Sequence, residues 1–174
     1  DLNEQFGCWK GSMSEAQQQG GKHLTDAGVT KGPALLYVDP ESGEVVDSYV
    51  GRFTYQEIGE VTKAVMEGNN RKKVEEKLKD KENAGDTKLQ LLYGDALVRT
   101  GDTKDARKAY AVVLSKSNDM KEKIMAEVGL AWCDLKEKKY KEAIENSEKA
   151  MAQMPPMIPP RGTCLYIQVW AYYE

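Results

Sequence analysis

Leu92-Tyr93-Gly94-Asp95-Ala96-Leu97-Val98-Arg99-Thr100-Gly101-Asp102-Thr103-Lys104-Asp105-Ala106 is the stretch that decides the fold, because its pattern returns. Gly129 stands thirty-five residues after Gly94, and Gly129, Ala131 and Trp132 then match Gly94, Ala96 and Leu97. The first copy continues through Ala106, Tyr110 and Val113 at helical spacing. In the second, Lys136 to Lys139 make a turn about two residues longer, and Tyr140-Lys141-Glu142-Ala143-Ile144 resumes the order. Ala143 stands for Ala106 and Ala150 for Val113. Self-similarity at a fixed period of about 20–50 residues marks stacked supersecondary units, each unable to bury its apolar face alone. A third start, Leu165 through Val169, Ala171 and Tyr172, follows the proline-rich joint Pro155-Pro156-Met157-Ile158-Pro159-Pro160.

This pattern resembles the tetratricopeptide repeat. The resemblance places Gly94 at the small position where two helices touch, with Leu97 one turn on and Gly101-Asp102 as the turn. Ala106, Tyr110 and Val113 become the packing stripe of the second helix. Asn118 falls where the family usually has proline, and Pro155 takes that place in the second copy. Residues 86–174 are thus expected to hold two full repeats and a third, truncated one. A terminal helix without its partner would expose an apolar face. Trp170, Tyr172 and Tyr173 would then lie open, cover another subunit, or belong to a longer protein, and truncation is the preferred expectation. Groove residues in this family come mainly from first helices, which nominates Leu89, Tyr93, Asp95, Lys123, Glu127 and Leu130 as partner-binding.

Before residue 70 the grammar differs. Ala34-Leu35-Leu36-Tyr37-Val38 is a continuous apolar run bounded by Gly32-Pro33 and Asp39-Pro40, the pattern of a buried strand. Asp39-Pro40-Glu41-Ser42-Gly43 is turn chemistry, so residues 44–50 form the second strand of a hairpin. Thr54-x-x-Glu57 is a capping box, and Ile58, Val61, Val65 and Met66 follow at helical spacing. That helix runs from Tyr55 to Met66 and stops at Gly68-Asn69-Asn70. Residues 13–27 are glutamine-rich, broken by Gly20-Gly21, and hold one or two short helices. Residues 71–83 carry only Val74 and Leu78 as apolar anchors and read as a solvated linker helix, or as a surface for a charged partner.

Gly28-Val29-Thr30-Lys31-Gly32-Pro33-Ala34-Leu35-Leu36-Tyr37-Val38-Asp39, followed by Gly43-Glu44-Val45-Val46 and Gly51, resembles the second half of a thioredoxin-like domain. The resemblance implies a cis-proline at Pro33. The expected architecture is therefore an α+β N-terminal part, an incomplete thioredoxin-like α/β unit over residues 1–69. A charged linker helix at 70–85 and an all-α hairpin array at 86–174 follow. The order of parts resembles chaperedoxin-type thioredoxin–repeat proteins.

The family's redox chemistry needs Cys-x-x-Cys at a helix N-terminus, where the first thiol's pKa is lowered. Phe6-Gly7-Cys8-Trp9-Lys10-Gly11-Ser12 offers one cysteine, only twenty-five residues before Pro33. Cys8 reads as an ordinary loop residue, with a reactive thiol beside Lys10 as the sharper alternative and the one weak catalytic candidate. Cys133 and Cys164 fall on apolar stripes and read as small core residues. His23, the one histidine, has no cysteine or carboxylate at metal-ligand spacing, so no metal site and no cofactor is expected. A net charge of −3 provides no basic stripe for nucleic acid. The longest apolar runs fall far short of the roughly 20 residues a membrane helix needs. The chain opens with Asp1 and no charged-then-apolar leader, and is expected to be a mature form or a fragment, cytoplasmic or periplasmic.

Two functions follow as expectations: a protein- or peptide-binding adaptor, chaperone-like in kind, or part of a thiol–disulfide oxidoreductase whose Cys-x-x-Cys half lies upstream of residue 1. Turnover of disulfides needs an attacking thiolate and a second thiol within reach. With dithiothreitol as electron source, this chain is expected to show no catalysed insulin reduction above background. Turnover that vanishes in Cys8→Ser would contradict the adaptor reading.

Overall fold

The computed structural model describes residues 22–25, 29, 34–39, 41–50, 55–155 and 159–174. Among these, two strands, β1 (Ala34–Val38) and β2 (Val45–Val50), precede seven helices of nine residues or more. The helices are α1 (Tyr55–Met66), α2 (Arg71–Lys79), α3 (Thr87–Thr100), α4 (Thr103–Lys116), α5 (Met120–Lys136), α6 (Tyr140–Ala152) and α7 (Pro159–Tyr173). The described residues are mostly helical, with one small antiparallel sheet among them.

The hairpin forms where turn chemistry predicts it. Asp39 Oδ1 accepts from the backbone N–H of Glu41 and of Ser42, while Gly43 supplies the positive φ of +68°. These bonds hold the Asp39 carboxyl below the usual carboxylate range. Ala34 pairs with Val50 and Tyr37 with Asp47, with an irregularity between Tyr37 and Val38. Both faces are covered. Ala34, Leu36 and Val50 pack with Leu24 and Val29, and Leu35, Tyr37 and Tyr49 pack with Val61 and Val65 of α1. The Tyr37 hydroxyl lies 2.8 Å from Thr62 Oγ1, pinning α1 to the sheet.

Aspartates start three successive helices: Asp86, Asp102 and Asp119 each accept from backbone N–H groups in the first turns of α3, α4 and α5. Between α3 and α4 the chain turns at Gly101, φ +89°, as its Gly-Asp sequence requires. The second hairpin lacks both devices. Lys138 adopts φ +61° in place of a glycine, and Lys139 caps α6 without a side-chain hydrogen bond. Helix α2 does not stand alone as a spacer. It packs against α3 and β2, and Val74 is buried.

Within the array, α3 pairs with α4 and α5 with α6, while α3, α5 and α7 also touch in sequence. The centre of the packing is Tyr110 on α4, 1% exposed. A Cβ on Gly94 would lie 2.6 Å from its Cε1, and a Cβ on Gly129 would lie 2.2 Å from its Cζ and 2.6 Å from its Cε2. Both glycines therefore sit where helices touch, as the repeat spacing predicts. The same ring serves both: Gly129 of the second hairpin meets the second helix of the first.

Gly94→Ala and Gly129→Ala are each expected to lower stability by about 1–3 kcal/mol, since the added Cβ would overlap a ring that is itself buried. Combining either with Tyr110→Leu should recover part of that loss. Urea melts check this, and losses under about half a kcal/mol for both singles would contradict the packing.

Candidate functional site

The first-helix side of the array, formed by α3, α5 and α7, is the surface that the repeat pattern nominates. Of the nominated residues, Tyr93 on α3 and Leu130 on α5 pack partly buried against one cluster around Tyr110, Leu97 and Cys133. Burial and the nearby Glu75 raise the Tyr93 hydroxyl above its ordinary pKa. Leu89 and Lys123 are half-buried on the same two helices. Glu127 Oε2 accepts from Gln153 Nε2 at 2.6 Å, so it also serves the end of α6.

Asp95 is engaged internally. Its Oδ1 accepts from the Tyr110 hydroxyl at 2.7 Å. The residue keeps some solvent contact, yet its carboxyl lies deep among protein atoms. Burial is the largest influence and pushes its pKa up to about 6, against the opposing hydrogen bond from Tyr110 and the charge of Arg99. Glu60 of α1 adds to the rise. Tyr110 is itself raised well above the phenolic range by burial and by Asp95.

Arg99, one turn beyond Asp95, points to the hairpin. Its Nη2 lies 3.3 Å from Asp47 Oδ2, and the Asp47 side chain is fully buried on β2. The same Asp47 oxygen accepts from Arg71 N at 2.9 Å, at the first residue of α2. Lys136, at the end of α5, donates to Val50 O and lies 5.7 Å from the Tyr49 ring centroid. The hairpin is thus docked against the C-terminal ends of α3 and α5, each of which presents a cation in its last turn.

A second polar clamp joins the two helical hairpins. Arg107 of α4 donates to Asp134 at 2.5 Å and to both oxygens of Glu137 at 3.1 Å. Asn146 of α6 donates to the other Asp134 oxygen at 2.7 Å. Arg107 and Lys139 hold the Glu137 carboxyl down to about 2.

Cys133 and Cys164 are free and buried, as their apolar stripes predict. Burial pushes their thiols up to about 12 and about 11, so neither offers a thiolate near neutrality. Cys8 and Pro33, with the expected cis bond, lie outside the described residues. Among the described residues no group of three His, Cys, Asp or Glu side chains could hold a metal ion, and no helix is long and apolar enough to cross a membrane.

What periodicity did not single out is the distribution of exposed apolar residues. Among the described residues, Leu92 of α3, Met120 and Met125 of α5, and Leu165, Val169, Tyr172 and Tyr173 of α7 are the large hydrophobics exposed on the array. Every one belongs to a first helix. Trp170, by contrast, is half-buried, edge-on to Tyr166 and Tyr173 in a row that begins at Trp132 of α5. No family model, no curated protein and no solved structure matches this chain.

The raised Asp95 pKa has a definite sign. In the unfolded chain the carboxyl titrates near the ordinary value of about 4, so between about 4 and 6 the native state binds the proton more tightly. Stability from this group is therefore present at low pH and lost as pH rises to about 6. Asp95→Asn keeps an acceptor for Tyr110 and removes the titration. Urea melts should show the variant gaining about 1–3 kcal/mol on wild type between pH 4 and pH 7. A pH-independent difference would contradict the enclosed carboxyl.

Proposed function

We propose that residues 86–174 are a tetratricopeptide-type array that binds a protein or peptide segment on the first-helix side. The observation that carries this reading is the segregation just described. On the array, the exposed large apolar side chains belong to α3, α5 and α7, while α4 and α6 contribute none of them among the described residues. Apolar surface gathered on one set of helices marks an interaction face, whereas scattered single residues do not. Leu92 and Met125 supply apolar contacts, and the thioether of Met125 adapts to varied partners. Leu89, Tyr93, Lys123, Glu127 and Leu130 flank them on the same two helices.

The strand–turn–strand–helix order from Ala34 to Met66 supports reading the N-terminal unit as the second half of a thioredoxin-like domain. Its role in this proposal is to anchor the array, through Asp47–Arg99 and Lys136, as an adaptor and not as an enzyme. The two described cysteines favour no redox reading, since both are enclosed and raised.

Panning a random peptide library against the chain, then measuring the selected peptides by fluorescence anisotropy, tests the proposal. Selected peptides are expected to bind with micromolar affinity, weakened at least about tenfold by Leu92→Glu or Met125→Glu. Lys104→Ala on α4 should leave affinity unchanged. Failure to enrich any peptide, or binding indifferent to both α3 and α5 variants, would overturn it.

A further inference from the structure

One oxygen of Asp95 is left unused where α3 meets α5. Oδ1 accepts from the Tyr110 hydroxyl, and that hydroxyl lies 2.6 Å from the place a Cβ on Gly129 would take. The carboxyl is therefore held between the two first helices, at the level where both touch the same ring. Oδ2 accepts no hydrogen bond from the described residues and is not sealed from solvent. An ionised carboxylate accepts at both oxygens, so half of this acceptor stays open without a donor. Leu92 is exposed three residues earlier on the same face of α3. Leu130 stands at the matching place on α5, thirty-five residues after Asp95, and is partly buried. The open oxygen thus adjoins the apolar residues of the peptide-binding face proposed above.

The charge of Asp95 is not balanced from within. Arg99, one turn along α3, exerts a favourable charge but forms no ion pair with it. Its Nη2 is drawn to Asp47 of β2, and its Nε is buried without a partner among the described residues. Glu60 of α1 acts in the opposite sense. Tyr110 of α4 and Cys133 of α5 are raised by burial, with Asp95 adding to each, so both stay neutral near pH 7. Asp95 is thus an enclosed carboxylate with one hydrogen bond and no bonded cation among the described residues. Tyr110 does not require that charge. An amide oxygen in the same place would accept its hydrogen bond without the cost of enclosing an ion. A charge-assisted hydrogen bond to Oδ2 supplies what the fold leaves out.

We infer that Asp95 selects the partner on this face: Oδ2 takes the cationic head of a lysine or arginine side chain, while a neighbouring apolar residue of the same peptide covers Leu92. The inference rests on the peptide-binding reading of α3 and α5. It gives recognition a direction with pH. The cation binds the ionised carboxylate, the prevailing form above about pH 6 and the minor form below it. Affinity is therefore full at pH 7.5. It falls about tenfold by pH 5, where about one-tenth of the free carboxyl is ionised.

The probes are peptides panned against the 174-residue chain at pH 7.5, then synthesised with blocked termini and without histidine. Their sequences are expected to converge on a lysine or arginine next to an apolar residue. Replacing that lysine by norleucine, or that arginine by citrulline, should weaken binding to wild type at least about tenfold in fluorescence anisotropy at pH 7.5. The same replacement should cost less than about twofold against Asp95→Asn, which keeps the acceptor for Tyr110 and loses the charge. Only the basic peptide on wild type should lose affinity between pH 7.5 and pH 5, which separates Asp95 from the titration of His23. Three results would each overturn Asp95 as the selector and leave the peptide-binding face standing. These are bound peptides that share no basic residue, an equal loss on wild type and Asp95→Asn, and an affinity that does not fall on acidification. Enrichment of no peptide at all would overturn both.

Discussion

Tyr110 is the constraint on which the array depends. Its ring is enclosed between α3 and α5 because each of those helices gives up a side chain, at Gly94 and at Gly129, where the ring passes. Helix interiors ordinarily disfavour glycine by about 1 kcal/mol relative to alanine. Here that cost is offset by close approach of three helices around one buried aromatic, whose hydroxyl is satisfied by Asp95. A phenol without that acceptor would leave a buried polar atom unpaired, and a carboxylate without the phenol would be enclosed to no purpose. The two residues therefore explain each other, and the raised Asp95 pKa follows from the same enclosure.

From this centre, polar ties extend to the neighbouring parts. Arg99 carries the α3 helix to the buried Asp47 of the hairpin, and Asp47 in turn receives the first N–H of α2. Arg107 carries α4 to the end of α5, with Asn146 completing the carboxylate of Asp134 from α6. Buried ion pairs of this kind add little net stability compared with apolar packing, but losing one partner is costly. Their effect is to fix which surfaces meet. The hairpin closes on the C-terminal ends of α3 and α5, and apolar residues of all three first helices remain outside.

Much of the local structure was legible in the sequence. The helix from Tyr55 to Met66, the strand from Ala34 to Val38, the turn at Gly101 and the buried cysteines at 133 and 164 all follow from short-range pattern. Each is decided within a few residues by capping, turn or periodicity rules. What pattern could not specify was the identity of the neighbour. The spacing put Gly129 at a helix contact, but not against the ring of the preceding hairpin. It nominated Asp95 for a groove, whereas the structure pairs it with Tyr110, fifteen residues on. Residues 71–83 looked solvated because their charges dominate, yet the buried Val74 and the Arg71 N–H bonded to Asp47 anchor α2 to the fold. Lys138 holds a left-handed turn that its residue type does not announce. The thioredoxin-like and tetratricopeptide resemblances rest on order and spacing, and the N-terminal residues that would carry a cis-proline and a reactive thiol lie outside the described ones.

The account stands or falls on one ring. In an NMR spectrum of the chain with selectively labelled glycine and tyrosine, the aromatic protons of Tyr110 should show strong nuclear Overhauser contacts to the α-protons of both Gly94 and Gly129. Those α-protons should also be displaced by the ring current. Contacts to one glycine without the other, or a Tyr110 ring free of both, would contradict an array assembled around it.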